Sequence, residues 1–176
     1  MLNAQQISQE GLLKLEHTHG KPAQIGYDLS LKAVNRIGIN GLEGKIGKVL
    51  KDKTELTKYT PQPLMNLDGV SGWLLHAGVY DITFNEGCKI PNNRVGLIRQ
   101  RSSMLRNGTV LHSSVFDPGY YCDFMGTVII VNEPIFIEEN ARVAQIYFHE
   151  CPPVDQENLY SGKWQGGLND RPTLSK

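Results

Sequence analysis

Short apolar runs broken by glycine, proline and asparagine recur along most of the chain and predict a protein built mainly from β-strands. The runs are Gly26-Tyr27-Asp28-Leu29-Ser30-Leu31, Gly72-Trp73-Leu74-Leu75, Val79-Tyr80-Asp81-Ile82-Thr83-Phe84, Val95-Gly96-Leu97-Ile98, Thr109-Val110-Leu111, Thr127-Val128-Ile129-Ile130-Val131, Ile135-Phe136-Ile137 and Ala144-Gln145-Ile146-Tyr147-Phe148. Their short, fairly regular spacing suggests a barrel or sandwich. A helix is expected only at the start, where Asn3 and Gln6 form a capping pair and Ile7, Gly11 and Leu12 give a weak apolar stripe, with Gly20-Lys21-Pro22 as the stop. Residues 41–69 fit the strand pattern least. Their glycines, the lysine-rich stretch Lys45 to Lys58, Pro61 and Pro63 read as an excursion within the domain. Past Pro152-Pro153 the chain turns polar and glycine-rich, which predicts a mobile arm over about residues 153–176 whose Trp164 needs something to cover.

Composition narrows the function classes. A chain of 176 residues is long enough to bury a sizeable core, and one domain spanning 1–176 is expected. Lysine plus arginine equals aspartate plus glutamate at 18 each, which argues against a broad basic surface for nucleic acid, so a bound anion must be held locally. Three cysteines, Cys88, Cys122 and Cys151, have no paired short spacing, and Met1-Leu2-Asn3-Ala4-Gln5-Gln6 lacks a charged-then-apolar signal pattern, which points to a reducing cytoplasm. No apolar run approaches the length of about 18 residues that a membrane-spanning helix needs.

Three polar clusters stand out on the strand background. Arg101-Ser102-Ser103-Met104-Leu105-Arg106 follows a strand end and offers two hydroxyls and two guanidinium forks, groups that match phosphate oxygens, although alone it also reads as a solvated loop. Asp117-Pro118-Gly119-Tyr120 has turn chemistry at its first three positions, and Tyr120 could stack on a sugar or base or pack in the core. Asn140-Ala141-Arg142-Val143-Ala144-Gln145 reads as a turn served by Asn140, then a strand with Arg142 and Gln145 as surplus polar groups. His17, His19, His76, His112 and His149 are scattered, and their short pair spacings lack the further ligands of a zinc site. Cys88 and Cys122 read as small buried hydrophobes.

Taken in order, these clusters resemble the superfamily of trimeric dUTP diphosphatases and dCTP deaminases over nearly the whole chain. Gly26-Tyr27-Asp28-Leu29 is similar to its first motif, Arg101-Ser102-Ser103 to its second, Val115-Phe116-Asp117-Pro118-Gly119-Tyr120 to its third, Arg142-Val143-Ala144-Gln145 to its fourth, and the glycine-containing tail to its fifth. The complete Arg-Ser-Ser-x-x-Arg spacing, Leu75-His76-Ala77-Gly78 and Lys163-Trp164-Gln165-Gly166 are closer to the deaminase branch. The deaminases' proton-shuttling glutamate lies ten positions after the third-motif aspartate, where this chain has Thr127. The base-reading segment between Arg106 and Asp117 is also about two residues shorter than the family pattern, and it contains His112.

The resemblance implies a distorted jelly-roll or β-barrel, a homotrimer with interfacial sites, and Mg²⁺-dependent hydrolysis of dUTP or a related deoxynucleoside triphosphate. Asp117 would serve the attacking water. Arg101, Ser102, Ser103 and Arg106 would clamp phosphates from one subunit, and Asp28 would lie near the metal's water shell. Tyr120 would pack on deoxyribose, while Arg142, Gln145, Lys163 and Gln165 would approach from a neighbouring subunit or its tail and Trp164 would close over the nucleotide. Two alternatives remain: dCTP deamination, with Asp123 or Glu133 replacing the missing glutamate, and a nucleotide- or protein-binding module that has lost turnover.

Overall fold

The computed structural model describes residues 1–38, 59–162 and 164–167. Helix α1 (Ala4–Gln9) begins as the sequence predicts, with Asn3 Oδ1 accepting from Gln6 N at 2.9 Å and Gln6 Oε1 accepting from Asn3 N at 3.0 Å. It ends well before Gly20-Lys21-Pro22. Leu12 turns into the core and Leu13 already pairs with Cys88, so the apolar residues after Ile7 serve a strand rather than a longer helix.

The strands are β1 (Leu13–Lys14), β2 (Lys21–Pro22), β3 (Tyr27–Ile37), β4 (Tyr59–Pro61), β5 (Met65–Leu67), β6 (Val70–Leu75), β7 (Gly78–Phe84), β8 (Gly87–Lys89), β9 (Arg94–Gln100), β10 (Thr109–His112), β11 (Tyr121–Cys122), β12 (Gly126–Val131), β13 (Ile135–Glu138) and β14 (Arg142–Glu150). Every predicted run is present. The principal sheet has the order β10-β12-β7-β3-β14-β9, with β2 and β4 added to β3, and every pairing in it is antiparallel. Gln100 at the end of β9 donates to Thr109 O and accepts from Leu111 N, so its amide links the sheet's two outer strands. The result is a nearly closed antiparallel barrel. Two small sheets, β1-β8-β11 and β13-β6-β5, complete the mainly β architecture.

Strand β3 continues to Ile37, past the predicted end at Leu31. Its first half pairs with β14 and its second with β7, and a register shift between Leu31 and Ala33 lets one strand serve both partners. The barrel interior is filled by Leu29, Leu31, Ile82, Phe84, Ile129, Ile146 and Phe148, all buried, each contributing roughly 1.5–3 kcal/mol by leaving water. The Arg101–Arg106 cluster forms a short helix, α2 (Ser102–Arg106), rather than a solvated loop; buried Met104 anchors it, and Thr109 Oγ1 donates to Met104 O at 2.7 Å. The described part of the arm lies docked on the barrel, where Val154 N donates to Asn92 O. No helix among the described residues is long and apolar enough to cross a membrane.

Candidate functional site

The predicted turn is present at Asp117-Pro118-Gly119-Tyr120. Tyr120 N donates to Asp117 O at 3.0 Å, and Gly119 takes φ +88°, a conformation that suits glycine; a Cβ there would also come within 2.8 Å of Leu159 Cβ. The turn leaves the Asp117 side chain exposed at a cavity of about 360 Å³ lined by Asp81, His112, Asp117, Tyr120, Thr127 and Trp164, among others. The Tyr120 ring packs edge-on between Phe116 and Tyr160, at centroid distances of 5.6 and 5.4 Å, and it also lines the cavity.

The arm closes onto this turn. Tyr160 N donates to Pro118 O, Gln165 Nε2 to Gly119 O at 2.8 Å, and Gln165 Oε1 accepts from Tyr121 N. What Trp164 covers is therefore this cavity, which it lines together with Gly167.

A second cavity, about 610 Å³ in volume, is lined by Lys21, Gln24, Asp28, Arg101, Ser102 and Gln145 with their neighbours. Strand register brings it together: Asp28 on β3 stands opposite Gln145 on β14 and opposite Lys21 on β2. Gly26 leads into β3 at φ +80°, where a Cβ would sit 2.1 Å from Ile146 O, so only glycine allows β14 to approach this closely. Asp28 is buried, and its Oδ2 lies 3.3 Å from Arg142 Nη1 and 3.7 Å from Arg101 Nη1. Two guanidinium groups, Arg101 and Arg142, thus flank one carboxylate, with Lys21 opposite it on β2 and lining the same cavity, and the excess positive charge suits an anion with several oxygens.

Because β14 lies between β3 and β9, Arg142 and Gln145 stand beside Asp28, Arg101 and Ser102 of the same protomer. Ser103 and Arg106 are exposed on α2 and line neither cavity. Lys163 lies outside the described residues. Asp123 pairs with Lys14 at 2.6 Å, Glu133 is exposed, and neither lines the cavity that contains Thr127. The Thr127 hydroxyl itself donates to His112 O, tying β12 to β10.

Cys88 and Cys122 face each other with Sγ atoms 3.7 Å apart; the hydrogen bond to Cys122 and burial push the Cys88 thiol well up, as befits packing rather than nucleophilic chemistry. Residues that the sequence did not single out include Asp81, Tyr59, Phe124 and Tyr160 in the first cavity and Lys21 in the second. Asp81 carried a signal, as a charge inside an apolar strand run, but alternation assigns such a residue to solvent.

Comparison with known proteins agrees with this construction. A dCTP deaminase-like family model matches residues 2–151. A probable deoxyuridine 5'-triphosphate nucleotidohydrolase of Halobacterium salinarum is 33% identical over 146 residues, covering 82% of this chain and 83% of that protein. The protein of the same name from Methanosarcina mazei is 33% identical over 142 residues, covering 80% and 78%. A deoxyuridine 5'-triphosphate nucleotidohydrolase of Methanocaldococcus jannaschii is 41% identical over 92 residues, covering 52% and 57%. Among solved structures, the 2'-deoxycytidine 5'-triphosphate deaminase of Agrobacterium tumefaciens superposes with a TM-score of 0.54 at 17% identity; the match covers 84% of this chain but 46% of that one, so it speaks for the fold. With a family match over most of its length and relatives of this identity, the chain belongs to the dUTP diphosphatase and dCTP deaminase superfamily through a dCTP deaminase-like domain.

Proposed function

We propose that the protein hydrolyses dUTP to dUMP and pyrophosphate, through attack of water on the α-phosphorus. The observation that carries this reading is the division of labour between the two cavities. One offers an aromatic wall and an exposed carboxylate suited to a deoxynucleoside and a water, and the other offers guanidinium groups and a hydroxyl suited to phosphates. The names of the archaeal relatives support the same substrate. Deamination of dCTP is disfavoured because position 127 carries a hydroxyl already committed to His112 O.

Within this reading Asp117 holds the attacking water and accepts its proton, and Tyr120 packs on the deoxyribose, with His112 at the base end. Arg101, Ser102, Arg142 and Gln145 bind phosphate oxygens as one group, with Ser103 and Arg106 at its exposed margin. The arm residues Lys163, Trp164 and Gln165 close the site. The two clusters occupy separate cavities of one protomer, so a homotrimer of single-domain chains is the assembly that would set one protomer's phosphate group against another's nucleoside cavity. Displacement at phosphorus depends mainly on positioning and charge neutralisation, which this set can supply.

The residues fit Mg²⁺ only as an ion carried largely by the triphosphate. Among the described residues no cluster of three His, Cys, Asp or Glu side chains could hold a metal, and Asp28, facing two guanidinium groups, is suited to contact it through water. When bound, the ion would neutralise charge on the phosphate oxygens.

Product analysis by anion-exchange chromatography tests the reading, with dUTP, dCTP, dTTP and dATP incubated separately with Mg²⁺ alongside an ammonia assay. dUMP and pyrophosphate from dUTP without ammonia from dCTP are expected. Ammonia from dCTP would restore the deaminase reading, and no turnover of any nucleotide would favour a binding-only role. Arg101→Ala should weaken dUTP binding by about 1.5–3 kcal/mol, the usual worth of a charge-assisted hydrogen bond. Isothermal titration checks this against Lys89→Ala, an exposed control; an equal effect in both would remove Arg101 from the phosphate site.

A further inference from the structure

Cys88 on β8 and Cys122 on β11 stand directly opposite one another in an antiparallel pairing. Both are fully buried, and their Sγ atoms are 3.7 Å apart. Opposed residues of antiparallel strands hold their Cα atoms about 4.5–5.5 Å apart. A disulfide accepts Cα separations of about 4.4–6.8 Å and needs only that the sulfurs close to about 2.05 Å. Rotation of the two side chains therefore suffices, and the strands need not move. They have little room to do so, because a Cβ on Gly87 would collide with Cys122 O and Asp123 O. Any pair of small apolar side chains would fill this space, but only two cysteines can be joined across it.

Strand β11 consists of two residues, Tyr121 and Cys122, and it is where the arm docks. Gly166 N donates to Tyr121 O at 2.9 Å, Tyr121 N donates to Gln165 Oε1 at 3.3 Å, and Gly166 forms a parallel bridge with Cys122 itself. So short a strand depends on its pairing with β8, and whatever fixes Cys122 to Cys88 also fixes the surface that receives the arm. We propose that these two thiols form a reversible disulfide under peroxide, which staples β11 to β8 and holds the arm closed over the first cavity. The device acts whichever nucleotide the cavity takes. Lys14, paired with Asp123 next to Cys122, places a positive charge that acts on both sulfurs and favours a thiolate. Burial and the hydrogen bond to Cys122 keep the proton on Cys88, so Cys122 is the sulfur that attacks. Its thiolate displaces hydroxide from hydrogen peroxide and becomes a sulfenic acid, and the hydroxide takes up the proton that Cys122 released. The Cys88 sulfur, already in contact, closes the bond, and its proton leaves with the sulfenic hydroxyl as a second water. Two thiols and one peroxide thus give one disulfide and two waters, and a dithiol reverses the step. Local opening of the short strand admits the peroxide.

The test treats the full chain with hydrogen peroxide, alkylates it in denaturant and maps its peptides by mass spectrometry. A link between Cys88 and Cys122 is expected, with Cys151 alkylated, and dithiothreitol should reverse it. Three alkylated cysteines, or a link to Cys151, would overturn the proposal. In the linked chain Tm should rise by about 4–16 °C, the usual effect of a disulfide in a chain of this size. Hydrogen exchange at the Gly166 and Tyr121 amides, which make the arm's bonds, should slow by about tenfold or more. A linked chain whose two amides exchange at the reduced chain's rate would refute control of the arm. In Cys122→Ser, peroxide should change neither Tm nor exchange. An effect as large as in wild type would place the oxidation elsewhere and overturn the proposal. Peptide mapping of the wild type decides the link even if the variant does not fold.

Discussion

Asp117→Asn is expected to lower kcat for dUTP by about 10²–10⁴-fold, the usual cost of removing a general base, while changing nucleotide affinity little. The substitution isolates the proton-accepting role because it spares the structure. The turn is closed by the main-chain bond from Tyr120 N to Asp117 O, which does not involve the side chain, and asparagine is as well suited as aspartate to the first turn position. The carboxylate is exposed, so no buried partner is orphaned. An amide can still orient water by hydrogen bonding but cannot take its proton, which predicts a loss in kcat rather than KM. Pyrophosphate release in single-turnover experiments, beside a titration of the non-hydrolysable α,β-imido analogue of dUTP, measures both quantities. Unchanged turnover would remove Asp117 from the chemistry.

Features written in local chemistry were legible before the structure. The capping pair of Asn3 and Gln6 and the turn at Asp117 to Gly119 each need only neighbouring residues, and both are present as read. Strand runs were legible for a similar reason, because an apolar run bounded by glycine or proline has few alternatives in a barrel. Sheet order was not. That Arg142 joins Asp28 and Arg101 depends on β14 lying between β3 and β9, a contact between segments far apart in sequence. Asp81 shows the same limit in another form: alternation places it off the core face, yet the tertiary structure leaves it only 2% exposed at the first cavity. Helix α1 was overextended because Leu12 fits both a helical stripe and the entry to a strand, and pairing of Leu13 with Cys88 decides between them. The family resemblance named candidates, of which His112, Asp117, Tyr120 and Trp164 line one cavity and Asp28, Arg101, Ser102 and Gln145 the other, while Ser103 and Arg106 line neither.

Glu86→Ala should be the most destabilising of the substitutions considered, by about 3–5 kcal/mol, which for a chain of this size lowers Tm by roughly 6–20 °C. Glu86 is fully buried at the turn between β7 and β8, and its partners are hydroxyls and backbone N–H groups rather than a cation. Its Oε1 accepts from Ser30 Oγ at 2.7 Å, Thr18 Oγ1 at 2.6 Å and Gly20 N at 3.2 Å, and its Oε2 accepts from Ser30 N at 2.9 Å. Removing the carboxylate deprives four donors at once, and each one left buried without a partner costs about 1–3 kcal/mol, less whatever entering water restores. Glu86→Gln keeps the volume but replaces one acceptor oxygen with a donor, so an intermediate loss is expected. The consequence extends to the anion cavity, because the bonds to Thr18 and Gly20 hold the segment that delivers Lys21 opposite Asp28. Thermal unfolding at fixed protein concentration checks the stability, and titration of inorganic pyrophosphate below the lowered Tm checks the cavity. Glu86→Ala should bind pyrophosphate more weakly than wild type even while folded. A fall in Tm of less than about 2 °C would show that the four donors find other partners, and that the carboxylate does not organise this end of the barrel.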